Sequence, residues 1–306
     1  MDLKVAAVVV TYNRKFLLAE CLNALLNQTR KPDLVIIIDN GSSDGTNGEL
    51  RRRNLLENPI IKYIRLPVNT GGAGGFYEGV KIGYEKKFDW LWLMDDDAQP
   101  RNDALEILLK AIEDGVVGIT SLKVDTEGKI EKIHRGWFYT NKFKPSPLKD
   151  KEYLKDECPI GYSSFVGFLI KREAIEKVGF PNKDFFIWFD DVEYCLRLLS
   201  VGSLKMVTKS IIVHKDQIKR EQTIRIPIKE YWKMYYGVRN RTYILRKYFS
   251  HSFIVLFFVV LIKGIVRIYL FEDRKLFKTK IFFRAWHDGI KMKLGKLTDP
   301  AMWLKN

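Results

Sequence analysis

The first two thirds of the chain alternate between continuous apolar runs and segments with helical spacing. Most of the apolar runs are rich in β-branched residues, which is typical of strands buried on both faces of a parallel sheet. Because strand and helix alternate at short intervals, the pattern predicts an α/β fold with right-handed crossovers. The strand-like runs are KVAAVVV (4–10), LVIIID (34–39), IIKYIRL (60–66), DWLWLM (89–94), VVGITSL (116–122), SSFVGFLI (163–170) and KMVTKSIIVH (205–214).

The positive charge of the protein lies almost entirely in the last third of its sequence. The 306 residues carry a formal net charge of +15. From Lys215 to Asn306 there are 21 Lys and Arg residues against seven Asp and Glu, a net charge of +14. This part of the chain is also helical in pattern and rich in aromatic residues. We therefore predict two regions with different partners, residues 1–216 and residues 217–306.

One segment of the basic region suggests contact with a membrane. FIVLFFVVLI, Phe253 to Ile262, contains ten consecutive apolar residues, but Lys263 and Arg267 interrupt the apolar pattern after it. A spanning helix needs about 20 apolar residues with few charges. The pattern favours a helix that lies in the interface of an anionic membrane. A helix packed inside the protein or against a second copy, and a true span, are the alternatives.

Composition argues against several classes of protein. With 46% hydrophobic and 13% aromatic residues, the chain can bury a sizeable core, so a disordered protein is not expected. The cysteines, Cys21, Cys158 and Cys195, form no CxxC pair, which argues against a disulfide framework or a zinc site and fits a reducing compartment. Because a strand-like run begins at Leu3, we expect no signal peptide ahead of the fold.

Three adjacent carboxylates come directly after the apolar run in DWLWLMDDDAQP. Asp95, Asp96 and Asp97 stand where a buried strand is predicted to end, and ligands bind at such strand ends in α/β sheets. Asp95 and Asp97 point the same way in an extended chain, so both can face one hard divalent cation. The alternative is a solvated loop whose acids cap the following helix.

Two further segments carry candidate chemistry. NTGGAGGF, at 69–76, does not have the GxGxxG spacing of a dinucleotide site, but its glycines permit close approach of the backbone to a ligand ahead of a helix over Tyr77–Lys86. IWFDDVEYCLR places Asp190 and Asp191 at a predicted helix start, where a carboxylate acts either as a general base or as an N-cap. His214, at a strand end, is by itself more typical of a structural residue.

Taken in order, these segments resemble the family 2 glycosyltransferases. The resemblance spans about residues 4 to 216, and it is most similar to bacterial galactofuranosyltransferases and rhamnosyltransferases of surface polysaccharides. It implies a GT-A fold with a mostly parallel central sheet, followed by the helical, basic C-terminal region. The matching segments are VVVTYNR, VIIIDNGSSDGT, NTGGAGGF, WLMDDDAQP, FDDVEYCLR and the final VH.

The resemblance also implies a role for each matching residue. Asp95, Asp97 and His214 would bind Mn²⁺ or Mg²⁺, and Asp191 would be the catalytic base of an inverting displacement. The residues implied in nucleotide binding are Thr11, Tyr12, Asp39, Asn69, Gly71, Gly72 and Asp96. Those implied in binding the acceptor and the sugars are Trp188, Asp190 and Glu193.

The expected reaction moves a sugar from a nucleotide-sugar donor to a hydroxyl of a lipid-linked acceptor. UDP-galactofuranose is the preferred donor, with dTDP-rhamnose or another UDP-hexose as alternatives. We expect a cytoplasmic protein on the inner face of the cell membrane, with homo-oligomer formation left open. The alternative from another class is a basic nucleic-acid-binding or lipid-binding protein without catalysis. No nucleic-acid-binding module is recognisable in the sequence, so we expect no such partner.

Overall fold

The computed structural model of the protein describes residues 3–138, 145–215, 225–249 and 253–297. These residues form an α/β fold, as the sequence pattern predicts. The strands are β1 Val5–Thr11, β2 Leu34–Asp39, β3 Ile61–Arg65, β4 Trp90–Asp95, β5 Ala98–Pro100, β6 Val116–Val124, β7 Arg135–Phe138, β8 Pro145–Pro147, β9 Glu157–Ile160, β10 Tyr162–Ser163, β11 Phe168–Lys171 and β12 Ser203–His214. The helices are α1 Lys15–Leu26, α2 Thr46–Arg52, α3 Gly71–Glu85, α4 Ala104–Lys110, α5 Arg172–Val178, α6 Asp190–Leu198, α7 Tyr231–Tyr248, α8 Phe253–Phe271 and α9 Lys275–Ile290.

The central sheet is mostly parallel. Its order is β3-β2-β1-β4-β11-β6-β12-β5, and β9 also pairs with β12. In this sheet β3, β2, β1, β4, β6 and β12 share one direction, while β11, β5 and β9 run against them. A small antiparallel sheet of order β10-β7-β8 lies beside it. The shared direction brings the carboxyl ends of β1, β2, β4 and β12 to one edge.

The apolar runs are buried because helices cover both faces of the sheet. Alternate residues of β1 belong to opposite sides: Val8 packs in the core cluster that includes α3, and Val9 packs in the cluster that includes α1. A strand with two buried faces has no polar side to show, which explains why these runs do not alternate with polar residues.

The glycine-rich segment is part of a helix, which differs from the predicted loop ahead of Tyr77. Helix α3 begins at Gly71, and its glycines let the helix lie directly on the sheet. A Cβ on Gly75 would lie 2.5 Å from Val10, one on Gly79 2.2 Å from Val8, and one on Gly83 2.5 Å from Leu91. Glycine at four-residue spacing therefore forms the packing face of α3.

The C-terminal helices pack on the segment that precedes α6. The buried face of α7 contributes Tyr235 and Tyr236 to a cluster that also contains Phe186 and residues of α8 and α9. Helix α8 is the segment for which an interfacial position is predicted. Among the residues that the structure describes, no helix is both long enough and apolar enough to cross a membrane.

Candidate active site

Predicted site residues from four separate segments meet at one edge of the sheet. Thr11 ends β1, Asp39 ends β2, Asp95 ends β4 and His214 ends β12. Thr11 pairs with Asp39 in the parallel register, and Val10 pairs with Asp95. His214 reaches the same edge because it lies opposite Ala98 of β5, and the Lys215 backbone N–H donates to the Asp97 carbonyl at 2.9 Å. The topology thus assembles a cluster of polar side chains at the edge where α/β sheets bind ligands, and we refer to this edge as the cleft.

The acid triplet is largely buried, and an arginine that the sequence reasoning missed pairs with it. Thr11 Oγ1 donates to Asp96 Oδ2 at 2.6 Å. Arg14 Nη1 lies 2.5 Å from Asp97 Oδ2 and 3.4 Å from Asp96 Oδ1. Arg14 is the last residue of the TYNR turn, which follows directly on the end of β1. A basic residue just after a predicted strand end was the signal that could have placed it beside the acids. Its positive charge offsets part of the repulsion that three adjacent carboxylates create.

The three carboxylates have different affinities for a proton. Burial, together with the neighbouring Asp97 charge, raises the pKa of Asp95 to about 6. Burial also raises the pKa of Asp96 to about 7, although the Thr11 hydrogen bond and the Arg14 charge work against it. For Asp97, burial is outweighed by the hydrogen bond and charge of His214 and the charge of Arg14, so its pKa falls to about 2. Asp97 is therefore the most strongly anionic of the three.

His214 lies between two carboxylates. Its Nε2 is 3.3 Å from Asp97 Oδ1, and its Nδ1 is 3.2 Å from Glu131 Oε2. Burial opposes the charged imidazole, but these two carboxylates raise the pKa of His214 to about 9. Glu131 in turn lies 3.0 Å from the buried Lys123 Nζ. Sequence reasoning missed Glu131 and Lys123, because both come from a segment without a recognisable pattern.

The Asp97 and His214 pair fits a divalent cation in one respect. Asp97 Oδ1 is buried and accepts no hydrogen bond of good geometry from the described residues. Two adjacent ligands of an octahedral cation lie about 3 Å apart, which is close to the separation of Asp97 Oδ1 and His214 Nε2. No cluster of three or more His, Cys, Asp or Glu side chains in the described segments is suited to hold a metal ion. The set of Asp95, Asp97 and His214 therefore stays a prediction.

Apart from Thr11 and Asp96, the residues predicted to bind the nucleotide lie at the other end of the cleft. Asp39 is buried and accepts from the Tyr63 hydroxyl and, at 2.7 Å, from the Ser42 backbone N–H. Tyr12 is 45% exposed. Asn69 Oδ1 accepts from the Gly71 N–H at 2.7 Å, and a Cβ on Gly72 would meet open space. This end of the cleft is held by its own hydrogen bonds.

Gly71 connects this end of the cleft to the segment before α6. Its φ of +77° favours glycine, and a Cβ there would lie 2.0 Å from the Phe186 carbonyl oxygen. The Ala73 N–H donates to the same oxygen at 3.2 Å. Asn40, which sequence reasoning missed, donates from Nδ2 to the Gly71 carbonyl at 3.0 Å.

The segment that leads into α6 has an unusual backbone. Phe186, Trp188 and Phe189 have φ values of 66°, 65° and 68°, a backbone region that residues with a Cβ seldom adopt. Such conformations cost about 1–3 kcal/mol each and persist only where neighbouring contacts hold them. We call residues 185–189 the clamped loop, because α7 fixes it from outside.

Two residues of α7 hold the clamped loop. Asn240 Nδ2 lies 3.0, 2.9 and 2.8 Å from the carbonyl oxygens of Phe185, Ile187 and Trp188. Arg239 Nη2 donates to the Phe185 carbonyl at 2.9 Å, and its Nε donates to Asn240 Oδ1 at 2.8 Å. Sequence reasoning missed both, because nothing in a basic helix indicates which polar residues face inward. The basic region therefore helps to shape the site.

The paired aspartates at the start of α6 differ in exposure. Asp190 is 7% exposed, whereas Asp191 is partly exposed and accepts from the Val192 N–H at 2.7 Å. Burial raises the pKa of Asp191 to about 6, and the Asp95 charge acts in the same direction. Burial and the Asp191 charge raise the pKa of Asp190 well above its usual range. Asp191 is thus the more exposed carboxylate of the pair, and its role as the base stays a prediction.

Glu193 is placed differently from Asp191. It is buried, and one of its carboxylate oxygens lies 3.0 Å from Arg197 Nε. The other accepts from the Tyr248 hydroxyl at 2.5 Å and lies 3.2 Å from Lys247 Nζ. Glu193 therefore ties α6 to the end of α7 through both of its carboxylate oxygens, and its role beside the sugars stays a prediction.

Comparison with known proteins identifies the class. The family model described as "Glycosyl transferase family 2" matches residues 6–179, which is more than half of the chain. This chain therefore belongs to glycosyl transferase family 2. The crystal structure of GalNAc-T7 with UDP, GalNAc and Mn²⁺ superposes with a TM-score of 0.62 at 16% identity, covering 95% of this chain and 56% of that one. The S. aureus TarS 1-349 complex with UDP gives a TM-score of 0.53 at 12% identity, covering 95% and 73%. The GT-A fold is confirmed.

Two bacterial relatives carry names that state a donor sugar. The galactofuranosyltransferase GlfT1 of Mycolicibacterium smegmatis is 31% identical over 204 residues, covering 65% of this chain and 66% of the relative, just under two thirds of its length. The dTDP-rhamnosyl transferase RfbF of Shigella flexneri is 27% identical over 254 residues, covering 81% of both chains. The resemblance to these two groups is confirmed.

Proposed function

We propose that this protein is an inverting glycosyltransferase that moves a sugar from a nucleotide-sugar donor to an acceptor hydroxyl. The observation that carries this proposal is the position of Asp191. It is a partly exposed carboxylate at the start of a helix, within electrostatic reach of Asp95 in the strand-end triplet. A donor bound along the carboxyl edge would place its anomeric carbon between Asp95 and Asp191. A single displacement there would need one base, on the side of the acceptor.

Asp191 acts as the base in this proposal. Its carboxylate takes the proton of the acceptor hydroxyl while that oxygen attacks the anomeric carbon on the face opposite the diphosphate. The clamped loop and the start of α6 fix the direction of the carboxylate, which lowers the entropic cost of reaching the reactive geometry. Trp188, three residues before Asp191, would border the acceptor.

Negative charge develops on the departing diphosphate, and the cleft offers positive charge to receive it. Arg14 is a cation that lies directly against the triplet. Asp97 and His214, with Asp95, are the residues that would hold Mn²⁺ or Mg²⁺, which when bound supplies Lewis-acid stabilisation of the diphosphate. Thr11, Tyr12, Asp39, Asn69, Gly71, Gly72 and Asp96 would border the nucleotide.

UDP-galactofuranose is the first donor to test, because GlfT1 of Mycolicibacterium smegmatis is a galactofuranosyltransferase. dTDP-rhamnose is the second, because RfbF matches over a longer part of the chain. For the acceptor we propose a lipid-linked saccharide of surface-polysaccharide synthesis.

A donor screen tests the proposal. Purified protein is incubated with each nucleotide sugar, and nucleotide release and product linkage are measured. We expect turnover with one donor, loss of turnover in Asp191→Asn with donor affinity retained, and loss in Asp97→Ala or in chelator. Full activity in chelator would remove the metal from the proposal. Absence of transfer from every nucleotide sugar, with acceptors of several classes, would overturn the function.

We also propose that the protein works at the inner face of the cell membrane. On α8, four apolar residues at helical spacing are exposed, and we call them the α8 stripe. Lys263 and Arg267 flank it, which suits anionic headgroups. The stripe consists of Phe258, Ile262, Val266 and Tyr269.

A further inference from the structure

A cavity of about 330 Å³ lies between the C-terminal helices and the clamped loop. It is separate from the carboxyl edge of the sheet, and Trp188 and Phe189 form the wall nearest to Asp191. Gly237 of α7 lies against this wall, since a Cβ there would lie 3.0 Å from the Trp188 ring. The cavity therefore lies next to the segment that leads into α6, on the acceptor side of the proposed site.

Most of the cavity wall is apolar, but its charged groups are mainly positive. Arg241, Lys263 and Arg267 line it, against one carboxylate, Glu272. Glu272 is already paired, because the buried Lys278 Nζ lies 2.7 Å from one of its oxygens and Arg267 Nη2 lies 3.8 Å from the other. The cavity thus keeps an excess of positive charge. The apolar residues of the wall include Ile226, Met234, Val238, Ile268, Ile281 and Phe282.

Arg241 is the observation that points to a ligand. Its Nε is buried and has no hydrogen-bond partner among the residues that the structure describes. Burial lowers the pKa of Arg241, as expected for a guanidinium whose charge is not offset nearby. A partly buried guanidinium whose Nε has no hydrogen-bond partner is costly for the fold, and an anion bound in the cavity would offset that cost.

We infer that this cavity binds the phosphate or diphosphate of an apolar-chain alcohol, with Arg241 and the Lys263 and Arg267 side chains on the anion and the apolar wall on the start of the chain. Arginine and a mobile lysine are suited to phosphate oxygens. The cavity is too small for a long chain, and its cationic rim belongs to α8, the helix that carries the exposed α8 stripe. The remainder of the chain can therefore leave the cavity along a surface that is already apolar.

The acceptor role of this ligand rests on the proposed glycosyltransferase function, whereas the binding itself does not. A sugar linked to such a diphosphate would project past Trp188 toward Asp191. The cavity would then select acceptors by their anionic lipid end, while the cleft selects the donor.

Binding to the full chain tests the inference without any turnover. Farnesyl diphosphate, farnesol and inorganic pyrophosphate are titrated by calorimetry in the presence of chelator. We expect farnesyl diphosphate to bind at least tenfold more tightly than either of the other two, a difference of about 1.4 kcal/mol. Equal affinity for farnesol would overturn the anion contact, and equal affinity for pyrophosphate would overturn the apolar contact.

Variants locate the binding. Arg241→Gln should weaken farnesyl diphosphate at least tenfold and leave farnesol within twofold, with Arg241→Lys in between. Arg246→Gln, an exposed arginine of the same helix, is the matched control and should change neither. If Arg241→Gln fails to fold, Lys263→Gln with Arg267→Gln at the exposed rim carries the test. Unchanged affinity in these variants would overturn the site.

Asp191→Asn should bind farnesyl diphosphate as the wild type does. Failure of Asp191 as the base and failure of the cavity as a binding site therefore give different results.

Discussion

Asp191 is the side chain on which the proposed reaction depends most directly. Because burial raises its pKa to about 6, the carboxylate is the dominant form at neutral pH, and protonation below pH 6 removes its ability to accept a proton. We expect kcat to fall about tenfold per pH unit well below 6. The measurement is kcat against pH from 5 to 8, with donor affinity followed in parallel.

Replacing the same carboxylate separates its chemistry from its packing. Asp191→Asn keeps the size of the side chain and should lower kcat by about 10²–10⁴-fold, the usual contribution of a positioned base. Donor affinity should stay within about twofold, because the base is expected on the acceptor side. A flat profile between pH 5 and 7, or an Asp191→Asn variant with normal kcat, would contradict this role.

Several site residues could be predicted from the sequence because strand ends are easy to locate. Asp95 and Asp97 stand at the end of an apolar run that predicts a buried strand, and parallel strands bring their carboxyl ends together. Arg14, Glu131 and Asn240 could not be predicted in the same way. Each reaches the site through a turn, an irregular segment or a helix whose inward face depends on tertiary packing.

For strands and helices too, the sequence predicts the features that neighbouring residues determine and misses those that tertiary contacts determine. The apolar runs predicted the buried strands, since a strand with two buried faces needs no polar alternation. Strand β11 looks the same in sequence, yet it runs antiparallel between β4 and β6. Direction depends on the path of the preceding connection, which includes segments without a clear pattern. The glycines of 69–75 predicted a loop because glycine is unfavourable in helices, and close packing on the sheet outweighs that preference.

The glycine face of α3 gives a stability prediction. Gly79→Ala introduces a Cβ 2.2 Å from Val8, so α3 or β1 must shift, and we expect a loss of about 1–3 kcal/mol in the free energy of unfolding. Gly48→Ala is the matched control, because Gly48 lies in α2 with no atom within 4 Å of the added methyl group. That variant should gain up to about 1 kcal/mol from its helix propensity. Chemical denaturation measures both, and equal effects would contradict the packing argument.

Helix α7 acts on the site through the clamped loop. Asn240→Ala removes the amide that lies near the carbonyl oxygens of Phe185, Ile187 and Trp188, and the loop can then relax from its left-handed conformations. We expect kcat to fall at least about tenfold, since a misdirected base loses most of its contribution, while donor affinity stays within about twofold. Arg246→Gln on the same helix is the control. Parallel loss of kcat and donor affinity would indicate general unfolding and contradict a positioning role.

In the whole molecule, the excess positive charge and the predicted site residues belong to different parts of the chain. The cleft at the sheet edge is formed by residues of the nearly neutral first part, and the basic helices supply Asn240 and Arg239 to hold the clamped loop. One of those helices, α8, also carries the α8 stripe and the two cations at the rim of the cavity. The arrangement suits the proposed enzyme, which would take a dissolved donor from one side and an anionic lipid-linked acceptor from the other.

Membrane binding through the α8 stripe is the prediction that tests this arrangement. Ile262→Glu with Val266→Glu replaces two exposed apolar side chains by carboxylates, which removes apolar burial of about 1.5–3 kcal/mol each and adds repulsion from anionic lipid. We expect at least a tenfold loss of binding to phosphatidylglycerol vesicles in sedimentation, and Leu154→Glu, at an 87% exposed leucine elsewhere, should bind normally. Equal vesicle binding by all three proteins would contradict the prediction. If the double variant also dissociates a dimer seen with the wild type, the stripe is instead a contact between copies.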